Sequence, residues 1–148
     1  INNAGIMIED KHRAMDMELE DLHKTMATNF YGPLMLTRTL VPLLKDSEDA
    51  RVINVSSRMG QLSAMGGGHA AYRISKTALN ALTVAMAKEL MEDGIRVNTI
   101  CPGWVRTDMG GPNANKSIKE GADTAVWLSS ADKIETGRFY ADRKVIPW

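Results

Sequence analysis

The chain has 148 residues, 44% of them hydrophobic, with 18 basic and 18 acidic side chains and a formal net charge of zero. This suits a globular core in one domain or part of one. No basic cluster points to nucleic acid and no long apolar run to a membrane span; the single cysteine excludes an internal disulfide and suits a reducing, cytoplasmic compartment.

In chain order, Ile1 to Asn3 reads as a strand end inside the sequence NNAG (Asn2 to Gly5). Residues 19–45 form a long amphipathic helical stretch, with Leu22, Met26 and Phe30 four apart. Pro33 interrupts it. Proline has no amide hydrogen, so the carbonyl of Asn29 is left free to hold an ordered water, and the helix should kink. Residues 51–56 read as a strand leading into Ser56 and Ser57. Residues 70–92 read as a helix ended by Gly94, and 95–101 as a strand ending in Cys101, a buried structural thiol. Asp108 to Lys116 (DMGGPNANK) is turn-rich and expected to be mobile. Ser117 and Glu120 have capping-box spacing and start a helix running to about Ser129; a last strand lies near 138–141.

Strand–helix alternation of this kind implies an α/β fold with a parallel sheet covered by helices. In open parallel sheets, ligands bind beyond the carboxyl ends of the strands. NNAG, NVSS and PGWV each follow a strand, and Gly5 and Gly103 let the backbone turn and approach a ligand closely. His12, His23 and His69 show no metal-ligand spacing. His69, three residues before Tyr72, is either a plain helix-start residue or a substrate contact.

Tyr72 and Lys76 stand four apart in YRISK, on one face of the 70–92 helix. An ammonium beside a phenol favours the phenolate. At roughly 4 Å and an effective dielectric near 20, the attraction is about 4 kcal/mol. That brings a tyrosine from about 10 toward about 7. Such a group passes a proton to or from an alcohol oxygen near neutral pH, and a serine hydroxyl nearby can hold the same oxygen. Tyr140 and Lys144 in YADRK repeat the spacing, but in a strand-like end beside Pro147. Four residues of strand span about 13 Å, so that pair is read as structural. Gly66, Gly68 and Ala71 fit G-x-G-x-x-A but follow a loop rather than a strand; they read as a flexible entry to the helix.

Taken in order, NNAG, TNFYG, the serine pair, YRISK and PGWVRT (Pro102 to Thr107) resemble the short-chain dehydrogenase/reductase family over essentially the whole chain. The ending, with ADTAVWL and DRKVIPW, is similar to the carbonyl-reductase-like members. The resemblance implies a Rossmann-like doubly wound parallel sheet. Residues 1–148 would be the catalytic and C-terminal part of it, a partial single domain. It implies hydride transfer between NADP or NAD and a small carbonyl or alcohol substrate. Tyr72 is then the acid in reduction and the base in oxidation. Lys76 depresses its pKa and holds the nicotinamide ribose. Ser57, rather than Ser56, orients the substrate oxygen, and Asn29 continues a proton path through a water. Asn3, Ala4 and Gly5 line the adenosine side, and Pro102, Gly103, Val105 and Thr107 the nicotinamide side. Trp104 is either a pocket wall or a packing residue.

Family members open with a strand, a glycine-rich turn and a helix that cradle the pyrophosphate. None of these precedes NNAG, so the choice between NADP and NAD is not readable, and the bare chain is expected to bind cofactor poorly. The resemblance also allows a homo-oligomer through the long helices, with Ala78, Ala81 and Ala85 either at that contact or packed on the sheet. Two other readings stand beside it. One is a sugar-nucleotide epimerase or dehydratase, which shares the tyrosine–lysine pair but generally lacks NNAG and this PGWVRT context. The other is a truncated fragment without activity, serving as an interaction piece.

Overall fold

Val52 and Ile53 are neighbours in sequence and both are buried. A strand sends successive side chains to opposite faces, so burial of both means that the strand is covered on both sides. The computed structural model describes residues 1–8 and 13–148. In it this strand, β1 (Arg51–Val55), pairs in parallel with β2 (Arg96–Ile100), and β2 in parallel with β3 (Phe139–Ala141). The chain then turns back into an antiparallel β4 (Lys144–Ile146). On the other side of β1, Asn2 forms a parallel bridge to Asn54. Its N–H donates to the Ile53 carbonyl at 2.8 Å, and its carbonyl accepts from the Val55 N–H at 3.0 Å. The expected strand end at Ile1 to Asn3 is thus one bridged residue.

Helices α1 (Leu19–Met26), α2 (Gly32–Lys45), α3 (Ala70–Glu89) and α4 (Ile118–Ser130) complete the fold. Val52 and Val97 pack with Met86 and Ala87 of α3 and with Leu34 and Leu44 of α2. On the opposite face, Ile53, Ile100 and Tyr140 pack with Ala125 and Leu128 of α4. The sheet is therefore wound on both sides. Both halves of the capping box on α4 form. Ser117 Oγ accepts from the Glu120 N–H at 3.2 Å, and the Glu120 carboxylate accepts from the Ser117 N–H at 2.8 Å. Helix α3 ends at Glu89 rather than near residue 92, and Gly94, at φ +72°, returns the chain toward β2. Ala81 and Ala85 lie on its exposed side and Ala78 is half-buried, so this stripe does not pack on the sheet.

The break imposed by Pro33 takes the form of a π-helical turn, Ala27–Tyr31, between α1 and α2. The Gly32 N–H reaches back five residues to the Ala27 carbonyl. The β3–β4 hairpin is absent from the sequence reading. Asp142 and Arg143, at φ +50° and +59°, make its two-residue turn without a glycine to signal it. Tyr140 therefore lies opposite Val145, and Lys144 opposite Ala141. His12 lies outside the described residues. Among the described residues, no helix is long and apolar enough to cross a membrane.

A buried polar ladder ties the sheet to α3. Asn2 Nδ2 donates to Asn54 Oδ1 at 2.7 Å, and Asn54 Nδ2 to Thr83 Oγ1 at 2.8 Å. Thr83 and Thr99 share a hydroxyl–hydroxyl bond of 2.7 Å. Thr83→Val keeps the shape but strands the Asn54 amide and the Thr99 hydroxyl in the interior, at a cost of about 1–3 kcal/mol. Urea denaturation should show that loss. Thr39→Val, at an exposed hydroxyl, should change stability little; equal effects at the two sites would show that the ladder carries no stability of its own.

Candidate active site

Parallel register decides which loops meet. Val55 stands opposite Ile100, and Asn2 beside Asn54. Asn3 to Gly5, Ser56 to Ser57 and Pro102 to Gly103 therefore leave the sheet together at its carboxyl edge, where such sheets bind ligands. The Ser56 N–H donates to the Ile100 carbonyl at 2.8 Å, joining two of these loops.

Helix α3 brings Tyr72 and Lys76 to this edge. Both are buried, Lys76 to 3% exposure. The Lys76 ammonium donates to the Val55 carbonyl at 2.8 Å and lies 5.6 Å from the centroid of the Tyr72 ring. Burial pulls its pKa down to about 8, against a smaller opposing effect of the Cys101 thiol. A Cβ on Gly5 would come within 3.3 Å of this ammonium and 3.5 Å of Asn29 Oδ1. Glycine at this position of NNAG thus lets the backbone approach the ammonium closely.

Asn29 is fully buried in the π-helical turn. Its Nδ2 donates to the Ile6 carbonyl at 2.8 Å and to Ser75 Oγ at 3.0 Å, and its Oδ1 accepts from the Ile6 N–H at 2.8 Å. The side chain pins the segment after NNAG onto α3, a role that the sequence reading, concerned with the carbonyl, did not contain.

The two serines differ. Ser56 is buried, with its hydroxyl 3.3 Å from the Lys76 carbonyl. Ser57 is half-buried and caps a short 3₁₀ turn, Arg58–Gly60, its Oγ accepting from the Met59 N–H at 3.1 Å. Accepting that bond leaves its own proton to donate. Two supporting contacts escaped the sequence reading. A Cβ on Gly60 would lie 2.7 Å from the Lys76 carbonyl carbon, so only glycine lets this turn press against α3. Cys101, buried as expected, accepts through Sγ from the N–H groups of Arg58 at 3.3 Å and Gly103 at 3.4 Å.

Beyond Pro102, Gly103 turns at φ +83° beneath the stem of Lys116. Val105 packs on Gly121 of α4, where a Cβ would come 2.5 Å from its Cγ2. Trp104 is 55% exposed, and its indole N–H donates to the Gly110 carbonyl at 2.8 Å. The turn-rich segment Asp108 to Lys116 is hydrogen-bonded back to Trp104 and Arg106, with Ala114 buried beneath it. An open cavity of about 480 Å³ lies against Arg106, Thr107, Asp108, Gly111, Pro112 and Ile118. Asn3, Ala4 and Thr107 are exposed at this edge, and Pro102 and Val105 half-buried.

The Tyr140–Lys144 pair is different in kind. Tyr140 is buried edge-on to Trp127, with ring centroids 5.7 Å apart. Burial pushes its phenol pKa up, and Lys144 is exposed on the opposite strand of the hairpin.

A doubly wound, mostly parallel sheet with this convergence of loops defines a Rossmann-like fold. The short chain dehydrogenase family model matches residues 1–135, and the chain belongs to that family. The C-signal protein of Myxococcus xanthus is 42% identical over 152 residues, spanning 100% of this chain and 90% of that protein. NADPH carbonyl reductase 1 of Mus musculus is 32% identical over 197 residues, spanning 100% and 69%. Among solved structures, the NADPH-bound carbonyl reductase from chicken fatty liver matches with a TM-score of 0.89 at 30% identity. The carbonyl reductase Sniffer of D. melanogaster matches at 0.89 and 31%. Each of these covers 99% of this chain, which spans 64% of their length. The family of oxidoreductases and the carbonyl-reductase-like subgroup read from the motifs are those found. Toward a nicotinamide dinucleotide, the carboxyl edge offers a buried ammonium beside Gly5, a position without a Cβ.

The pKa of Lys76 makes stability depend on pH. Its folded value of about 8 lies below the ordinary lysine value of 10.5. Between those values the unfolded chain binds more protons, so stability rises with pH; below 8 both states are protonated and the cost of the buried charge persists. The interval corresponds to on the order of 3 kcal/mol. Lys76→Met should therefore be more stable than the parent at pH 7, with the advantage shrinking from pH 8 to 10 in urea denaturation. A flat or growing advantage would show that burial does not depress this lysine.

Proposed function

We propose that this site belongs to an NAD(P)-dependent oxidoreductase that moves a hydride between the nicotinamide cofactor and a small carbonyl or alcohol substrate. The observation that carries the reading is the buried Lys76 ammonium. It sits one helical turn from Tyr72, held by the Val55 carbonyl at 2.8 Å and faced by Gly5. A bound nicotinamide dinucleotide would supply the hydride. Lys76 would bind its ribose hydroxyls and favour the Tyr72 phenolate. Tyr72 would give its proton to the carbonyl oxygen in reduction and take it back in oxidation. Ser57, whose proton is left to donate, would hold that oxygen. The polar atoms of the Asn29 side chain are hydrogen-bonded to Ile6 and Ser75, so its part in proton transfer falls to its main-chain carbonyl, whose α-helical partner would be the imide nitrogen of Pro33. Asn3 and Ala4 with Gly5 would face the adenosine side, and Pro102, Gly103, Val105 and Thr107 the nicotinamide side. The NADPH carbonyl reductase of Mus musculus and the NADPH-bound carbonyl reductase from chicken fatty liver support NADP over NAD.

One observation favours a second reading, a chain that serves as a signal or interaction piece rather than acting through turnover. The 42% identical relative carries the name C-signal, and this chain spans 90% of it. Calorimetric titration with NADPH and NADH separates the readings, since an interaction piece needs neither.

Tyr72→Phe keeps the ring and removes the proton. It should cut NADPH-dependent reduction of a ketone or aldehyde panel by about 10²-fold or more without lowering the melting temperature. Tyr140→Phe should leave the rate nearly unchanged. Retention of more than about a tenth of the activity in Tyr72→Phe would assign the acid elsewhere.

A further inference from the structure

The last two residues lie across the turn that follows the serine pair. Gln61 ends the 3₁₀ turn that Ser57 begins, and its buried side chain donates through Nε2 to the Pro147 carbonyl at 2.6 Å. Ser63 donates to the Trp148 carbonyl oxygen twice, from its hydroxyl at 2.8 Å and from its N–H at 3.3 Å. The Trp148 ring stacks on Phe139, with centroids 5.5 Å apart and planes at 24°. Phe139 and Cys101 belong to the same buried cluster, and Cys101 Sγ accepts the Arg58 N–H next to Ser57. Two routes therefore lead from Trp148 to Ser57: through Ser63, Gln61 and the 3₁₀ turn, and through Phe139, Cys101 and Arg58.

The α3 side of the turn is held independently. The Gly60 carbonyl accepts from Thr77 Oγ1 at 3.0 Å and Asn80 Nδ2 at 3.2 Å, and Arg73 reaches the Met59 carbonyl at 3.3 Å. Those bonds fix the middle of the turn to α3. On the face toward the sheet end, the contacts among the described residues are those to Cys101 and to Pro147 and Trp148.

We propose that Pro147 and Trp148 form a strap that positions Ser57, with Gln61 and Trp148 as positioning residues for the carbonyl oxygen. The proposal rests on the reading of Ser57 as the group that holds that oxygen. Displacing a positioning group by about 1 Å can cost 10²-fold in rate. The strap's hydrogen bonds run to Gln61 and Ser63 and not to Lys76 or Gly5, while the Cys101 route also reaches the Gly103 N–H, so its loss falls more on the carbonyl step than on cofactor binding.

The test is a set of variants in the intact protein, Trp148→Ala, Trp148→Phe and Gln61→Leu, each also made in a Ser57→Ala background. Trp148→Ala and Gln61→Leu should speed amide exchange in residues 58–64 at least tenfold while exchange in α4 stays unchanged. They should lower kcat/KM for the carbonyl about tenfold or more, with a smaller change in NADPH affinity, and an equal loss of both would overturn the strap's assignment to Ser57. Trp148→Phe keeps the stack and should restore both. In the Ser57→Ala background the strap variants should have no further effect on rate, because the residue they position is gone. The strap is overturned by unchanged exchange in 58–64, by loosening that spreads equally over the fold, or by strap effects that persist in full without Ser57. If no form turns over any carbonyl, the oxidoreductase reading fails on its own, and local exchange still decides whether Trp148 holds the turn.

Discussion

The constraint on which the site depends is the burial of one ammonium. Moving such a charge out of water costs several kcal/mol unless partners replace the lost hydration. Lys76 finds one, the Val55 carbonyl at the last residue of β1, where the chain turns out of the sheet. That bond fixes where α3 sits along β1. The neighbouring elements then follow. Ser56 closes on the Lys76 carbonyl, Gly60 presses against its backbone, and Gly5 comes within reach of the ammonium. The low pKa of the lysine records that this compensation is incomplete. Perturbed ionisable groups of this kind cluster where a charge must stand ready for a ligand, though structural networks perturb them too.

The asparagines perform a related task with neutral groups. Asn54 bridges Asn2 and Thr83, and Asn29 bridges Ile6 and Ser75. Each ties the NNAG segment to α3, one through the sheet and one through the π-helical turn. An amide offers donors and an acceptor in one plane, so it can replace both a strand partner and a helix contact where the backbone has run out of regular structure. The segment carrying Gly5 is held on both sides by such bonds, although a single residue of it pairs with the sheet.

Much of this was readable because local chemistry and tertiary structure agree. The apolar run RVINV, the alanine-rich helix around YRISK and the Ser117–Glu120 box each specify an element that the fold keeps. Pro33 marked a break, but a proline removes one bond without saying which geometry replaces it, and the π-helical turn is fixed by the bonds of Asn29 to Ile6 and Ser75. The β3–β4 hairpin was illegible because Asp142 and Arg143 adopt left-handed backbone without glycine, held instead by contacts to α4: the Arg143 N–H to Thr124 Oγ1 at 3.2 Å and its guanidinium to Asp123. Gly60 and Cys101 matter through what lies opposite them in space, which spacing along the chain does not encode.

The two tyrosine–lysine pairs show where motif reasoning acquires its force. Their spacing is identical and their chemistry is opposed. On α3, four residues bring the ammonium to 5.6 Å from the ring centroid. In the hairpin, the same four residues pass round a turn, so the lysine faces solvent from one strand while the phenol is buried in the other. Burial, with a smaller push from the Glu135 carboxylate, then raises the Tyr140 pKa against the Arg138 charge and a backbone hydrogen bond at Glu135, and Lys144 plays no part in it. Helical periodicity around the first pair and its absence around the second were visible beforehand. The spacing is therefore informative only together with the secondary structure that converts it into distance.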